Sequence, residues 1–282
     1  MMSASEKITY STVLIKSTYP DGTSGSGTGF IINMCEDKQT DTCIPLIITN
    51  WHVVDGSIQT HFEFCMADEN GNPLDQKAMS VSYSTDAWVH HPDPDVDLCC
   101  LPLAVALRSF ETNNLKPFYV PLSPMHIPSN SEIEELKAME NVTMVGYPIG
   151  LSDDYNHKPI IRSGITATHI KKDYKGKKEF LVDMACFPGS SGSPIFILNE
   201  GIYNVKNSVY VGDRVMFVGI LYGGPQFCAT GDITIMNIPK RPMSITHIPT
   251  NLGVAIKSNR LLEFEKLFEQ DMPVENKEEN NG

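Results

Sequence analysis

Residues 186–196 read "CFPGSSGSPIF": two serines set between glycines, then a third serine, a proline and a run of apolar residues. Small residues of this kind mark a tight turn, and the residues after Pro194 have the composition of a strand. A serine on such a turn can project its hydroxyl outward while nearby backbone N–H groups converge on one point. The same letters also describe a serine-rich β-turn with no chemistry, so their meaning depends on the rest of the chain.

Around this stretch, short strand-like runs recur, among them "YSTVLIKST", "GTGFIINM", "IPLIITN", "LCCLPL", "VTMVGYP", "IIRSGITATHI", "EFLVDMA", "VMFVGILYGG" and "NLGVAIKS". They are β-branched or aromatic and are separated by turn residues such as "PDGTSG", "ENGNP" and "YKGK". That pattern predicts an all-β protein of sandwich or barrel size. The adjacent Cys99 and Cys100 read as strand residues facing opposite sides. Helices are expected at 131–139, behind Ser131 and Glu134 at capping-box spacing, and at 258–269, where apolar residues recur at helical intervals. The Pro- and Asn-rich stretch 105–140 reads as a linker between a first β unit, 8–104, and a second, 141–257.

With 34 acidic against 22 basic residues, a net charge of −12, the chain offers no basic surface for phosphates or anionic lipid. Neither nucleic acid nor a membrane is an expected partner. Residues 271–282 are polar and acid-rich and read as a disordered tail. The N-terminus lacks the pattern of a secretory signal and no long apolar run occurs, so a cytoplasmic location is expected, with the seven cysteines as reduced thiols. The cysteines show no metal-ligand spacing, and no metal or other cofactor is expected.

Two further segments carry groups that a serine could use. In "LIITNWHVVDG", His52 follows an apolar strand where the chain is about to turn. In "HHPDPDVDLCCLPL", Asp93, Asp95 and Asp97 approach a strand, and only Asp97 directly precedes the apolar run. It is therefore the carboxylate expected to be partly buried and to need a partner. With the serines of 186–196, the chain order is His, Asp, Ser.

"TNWHVVDG" resembles the histidine segment of the high-temperature-requirement serine proteases, and "FPGSSGSPIF" resembles the Gly-x-Ser-Gly-Gly-Pro segment of trypsin-like peptidases. "GTGFII", "GYPIG", "RSGITA", "GILYGG" and "NLGVAI" match in the same order. The resemblance implies a chymotrypsin-like fold: two antiparallel six-stranded β-barrels packed side by side, with a C-terminal helix. It implies a serine endopeptidase acting on a peptide or protein substrate, with Ser191 as nucleophile, His52 as general base and Asp97 orienting the imidazole. The backbone N–H groups of Gly189 and Ser191 would form the oxyanion hole. Ala185 would floor the primary pocket, and Gly219, Leu221, Tyr222 and Gly223 would wall it. An alanine floor without a carboxylate implies a small or apolar residue before the cleaved bond, and the strand at 222–224 would pair with the substrate backbone.

Departures from the pattern are Ser190, where zymogen trypsins have aspartate, and Ser193, where the family has glycine. Activation by N-terminal cleavage is therefore not expected, and a regulator would act from outside or through long loops such as 224–250, which is placed to overhang the groove. Two other readings stand beside this one. One is a catalytically silent trypsin-like domain that binds peptides or is controlled by a partner. The other is an α/β-hydrolase using Ser191, Asp213 or Asp232, and His247, which the missing glycine at 193 and the strand after it oppose.

Overall fold

The computed structural model describes residues 2–268 apart from 38, 41, 207, 225 and 229–246. The expected tail at 271–282 and most of the 224–250 loop, Asp232 included, lie outside the described residues.

A short helix, α1 (Ala4–Thr9), opens the chain behind a capping box made by Ser3 and Glu6. The first half then lays down β1 (Thr12–Thr18), β2 (Ser24–Asp37), β3 (Thr42–Thr49), β4 (Gln59–Ala67), β5 (Pro73–Ser84), β6 (Val89–His90), β7 (Cys99–Pro102) and β8 (Pro117–Phe118). These form one sheet in the order β5-β4-β1-β2-β3-β7-β6, with β8 added against β4. The second half supplies β9 (Asn141–Gly146), β10 (Ile160–Thr166), β11 (Glu179–Asp183) and β12 (Pro194–Asn199). After a hairpin of β13 (Ile202–Val205) and β14 (Ser208–Val211) comes β15 (Arg214–Gly223). A short ladder of β16 (Gln226–Cys228) with β17 (His247–Pro249) precedes β18 (Leu252–Lys257). Six of these strands close a barrel in the order β10-β11-β18-β15-β12-β9. Every ladder is antiparallel, so the all-β expectation is met, with eight strands in the first sheet and six in the closed second.

Three apolar clusters explain the arrangement. One fills the first sheet, with Ile15, Ile47, Phe62, Phe64 and Cys99. Another fills the barrel, with Met144, Phe180, Val182, Ile195 and Leu221. The third joins the halves: Phe30, Ile32 and Cys100 of the first meet Phe196, Phe217 and Ile220 of the second. Each such side chain contributes about 1.5–3 kcal/mol on full burial, so this seam is a strong joint. Cys99 and Cys100 enter different clusters, as strand alternation requires.

The C-terminal segment seals the seam with Leu261 and Phe264, on a 3-10 turn over Ser258–Phe264 that continues as a short α-helix, Glu265–Phe268. Two other helices interrupt the sheet of the first half. One turn, α2 (Trp51–Val54), follows β3, and α3 (Ala104–Thr112) buries Ala106 and Phe110 against the first core. In the 105–140 stretch, α4 (Asn130–Glu135) is capped by Ser129 and Glu132. The capping box thus lies two residues before the expected Ser131 and Glu134. Leu136 already leaves the helix in extended backbone to bury its side chain in the barrel core, which ends the helix early and favours the earlier cap.

Candidate active site

His52 sits on α2, where β3 has just ended and the chain turns over the seam. Its backbone N–H donates to Asp97 Oδ1 at 2.9 Å, and its Nδ1 lies 2.5 Å from Asp97 Oδ2. Asn50 Nδ2 donates to the Asp97 carbonyl at 2.7 Å, so the turn before β7 is tied to the end of β3 on both sides of the carboxylate. A carboxylate on Nδ1 keeps the ring proton there and leaves Nε2 as the free lone pair. The imidazole is half exposed.

Asp97 is partly buried and partnered, but so is Asp93, and of the three only Asp95 is exposed. Asp97 stands between buried Val96 and Leu98, whereas Asp93 binds Arg260 at 2.7 Å.

The serine loop is shaped by two glycines at φ +87°, Gly189 and Gly192. A Cβ at Gly192 would lie 1.9 Å from Thr28 O and 2.6 Å from Thr49 Oγ1. No side chain fits there, and the loop packs directly on the strand end that leads to His52. Thr28 is the strut between the halves: its N–H donates to Ser191 O at 2.8 Å, its hydroxyl donates to Gly189 O at 3.1 Å, and the same oxygen accepts from Tyr147 N–H at 2.9 Å. Thr49 Oγ1 in turn donates to Thr28 O at 2.7 Å. On the other side Gly192 N–H donates to Leu221 O at 2.7 Å, and Leu221 N–H donates to Ser193 O at 2.9 Å.

This fastening decides which groups remain available. Pro188 O accepts from Ile149 N–H, so the N–H of Gly189, on the opposite side of a trans peptide, faces away from that contact. Among the described residues, neither the Gly189 nor the Ser191 N–H donates to a protein acceptor. Ser190 and Ser193 are fully buried, and of the three serines only Ser191 keeps part of its surface open. Its hydroxyl makes a long bond to Tyr222 O, 3.4 Å, and none to His52. Cys186, half-buried next to the loop, has its thiol pushed up to about 11 by burial and is an inert thiol at neutral pH.

The expected pocket residues divide into two groups. Leu221 and Tyr222 meet the serine loop through their backbones, and Gly223 follows them at a break in the β15–β18 register. Gly219 lies deeper, where a Cβ would meet the Phe180 ring at 2.7 Å. Ala185 O accepts from Arg162 Nη1 at 3.0 Å, a contact the sequence reading did not include. The Tyr222 phenol, pushed up by burial and by the Glu179 carboxylate, lines a cleft of about 420 Å³ beside Asp97 and Arg260. Of the rival hydrolase residues, Asp213 is exposed and accepts from Gly201 N–H, and Ser191 leads into strand β12 instead of a helix.

Residues 27–201, more than half of the chain, match the family model for the trypsin-like peptidase domain. The chain belongs to that family. Among solved structures, the trypsin-like peptidase is similar to the HtrA-type protease AlgW with tripeptide: 16% identity, TM-score 0.50, covering 94% of this chain and 62% of that one. It therefore spans less than two thirds of that protease's length. It is also similar to the Rv3671c protease from M. tuberculosis in its active form (16% identity, TM-score 0.44, covering 92% and 80%). A third similar structure is the thermostable serine protease AL20 from an extremophilic microorganism (11% identity, TM-score 0.47, covering 93% and 98%). At these identities the AlgW likeness is one of fold, the chymotrypsin-like fold of a serine protease. A search of curated proteins found no match. Among the described residues, no helix is long and apolar enough to cross a membrane.

Proposed function

We propose that this trypsin-like peptidase is a serine endopeptidase with Ser191 as nucleophile, His52 as general base and acid, and Asp97 as the carboxylate that orients the imidazole. The observation that carries the reading is the pair of N–H groups, Gly189 and Ser191, left without a protein acceptor beside the one partly open serine of the loop. An oxyanion hole needs such donors, fixed by the surrounding backbone and left open to a ligand's oxygen.

In the proposed reaction Ser191 Oγ attacks the peptide carbonyl carbon while its proton passes to His52 Nε2. The oxyanion accepts hydrogen bonds from the Gly189 and Ser191 N–H groups, each worth about 3–4 kcal/mol to the transition state. Collapse breaks the C–N bond, and the amine leaves with the His52 proton. Water then attacks the acyl-enzyme, giving its proton to His52, and the ester bond breaks to return Ser191 and release the acid. The edge at Tyr222–Gly224 would hold the substrate backbone as an added strand. Taken from Ala185 and Leu221 alone, the pocket refuses a basic side chain and suits a small or apolar one.

A fluorophosphonate probe tests the reading: it should label the wild type at Ser191 and leave Ser191→Ala unlabelled. An unlabelled wild type would sink it. The long Ser191 bond to Tyr222 O, with no bond to His52, supports a second reading: a domain silent until a partner or substrate reorders the loop. That reading expects peptide binding without labelling, and labelling that appears only after a partner is added.

A further inference from the structure

Arg162 lies on β10 directly opposite Met144 of β9. Cross-strand partners share a face, and Met144 belongs to the barrel core, so the Arg162 side chain leaves its strand on the core face and its half-buried guanidinium reaches the barrel rim beside the exposed Phe187 ring. There the guanidinium donates from Nη1 to Ala185 O and lies over the Phe187 ring, 5.0 Å from its centroid. Its Nε is buried and has no partner, and no carboxylate lies within ion-pair distance among the described residues. A group with five N–H donors thus makes one hydrogen bond, to a neutral carbonyl. A partly buried cation without a counter-charge is costly, and an anion brought to it relieves the cost.

Ala185, six residues before Ser191, is the residue expected to floor the primary pocket, and Phe187 stands between it and the serine loop. The unpaired cation is therefore fastened to the pocket floor itself. We infer that Arg162 determines specificity, and that the primary pocket takes an acidic side chain, Asp or Glu, before the cleaved bond. The inference rests on the serine-peptidase reading for the position of the pocket. It replaces the small or apolar preference, which considered only Ala185 and Leu221. A carboxylate would take up the guanidinium donors that Ala185 leaves over, in a charge-assisted contact that an amide of the same shape cannot match.

The test uses the full chain and fluorogenic peptides identical except before the cleaved bond, where they carry Glu, Gln, Asp, Asn, Ala or Leu. The acidic peptides should exceed their amides by about 10- to 100-fold in kcat/KM, the range of a charge-assisted hydrogen bond. Arg162→Gln should bring that ratio to about one while the Ala peptide keeps its rate within severalfold, and Arg162→Lys should retain part of the ratio. A wild type that favours Ala or Leu over Glu overturns the inference. So does an Arg162→Gln protein that loses all peptides equally, which is the mark of a simple clamp on residues 185–187. The same peptides titrated calorimetrically into Ser191→Ala should show the acid-over-amide ratio in Kd. That measurement holds whether or not the wild type turns over, so equal Kd values sink this inference alone, and a missing fluorophosphonate label sinks the serine-peptidase reading alone.

Discussion

The histidine segment and the serine segment meet at one seam but are built on opposite plans. Around His52, the Asp97 side is occupied within the protein: both Asp97 oxygens accept from His52, and the Asp97 carbonyl accepts from Asn50. Around Ser191, the backbone is pinned at Pro188, Gly189, Ser191 and Gly192, yet the Gly189 and Ser191 N–H groups have no protein acceptor. On the proposed mechanism, the contrast is between a part that holds one orientation and a part that receives a ligand. Fixed geometry needs complete pairing, while a receiving site needs donors held rigidly and left open.

If that division is right, changes on the receiving side should abolish chemistry while sparing the fold. Ser191→Ala should remove all measurable turnover and labelling, and its thermal midpoint should stay close to wild type, because the hydroxyl's one protein bond is the 3.4 Å contact to Tyr222 O. On the orienting side, Asp97→Asn should lower kcat by roughly 10⁴-fold, since an amide cannot enforce the same tautomer and charge on the imidazole. Stopped-flow acylation would check the second figure, and a loss of only a few-fold would show that His52 is oriented by something else.

Much of this arrangement is legible without coordinates. Asp97 is singled out because it alone of the three aspartates directly precedes an apolar strand, although partial burial and a partner do not distinguish it from Asp93. Ser191 separates from Ser190 and Ser193 because of where the glycines stand, and Gly189 and Gly192 do take the positive φ that other residues resist. Thr28 is harder to read. It is one threonine in a glycine-rich strand, and its partners Tyr147, Gly189 and Ser191 lie far along the chain, so nothing local reveals it as a strut. Arg162 is hidden for a related reason: "IIRSGITATHI" alternates, but only pairing with Met144 tells which face closes into the barrel. The helix Ala104–Thr112 was concealed by the turn-rich stretch around it, although Ala106 and Phe110 have the four-residue spacing of a buried stripe.

The strut can be tested directly. Thr28→Val keeps the shape but removes the acceptor for Tyr147 N–H and the donor to Gly189 O, both buried. Stability should fall by about 1–3 kcal/mol in denaturant unfolding, the cost of an orphaned buried group. Activity should fall by about 10- to 100-fold, less than for Asp97→Asn, because the hole is displaced and not removed. A protein that loses stability but keeps full kcat would show that the oxyanion loop is held by its glycines alone.

The smallest expected change concerns Ser193, where the family has glycine. Ser193 is not among the residues with positive φ, so a side chain is tolerated on its backbone. Its space comes from the facing strand: a Cβ on Gly146 would lie 2.0 Å from Ser193 Oγ, so the bare face of Gly146 receives the hydroxyl. That hydroxyl is fully buried and has no hydrogen-bond partner. Ser193→Ala should therefore raise stability by about 1 kcal/mol, because it removes an unsatisfied polar atom without opening a large void. Ser193→Gly should instead lower it by about 0.5–1 kcal/mol through added freedom of the unfolded chain. Neither should move kcat, since the Ser193 backbone bonds to Ser190 and Leu221 persist in both. Urea unfolding of the two variants side by side decides the point: if alanine destabilises as much as glycine, the Ser193 hydroxyl has a partner within the fold after all.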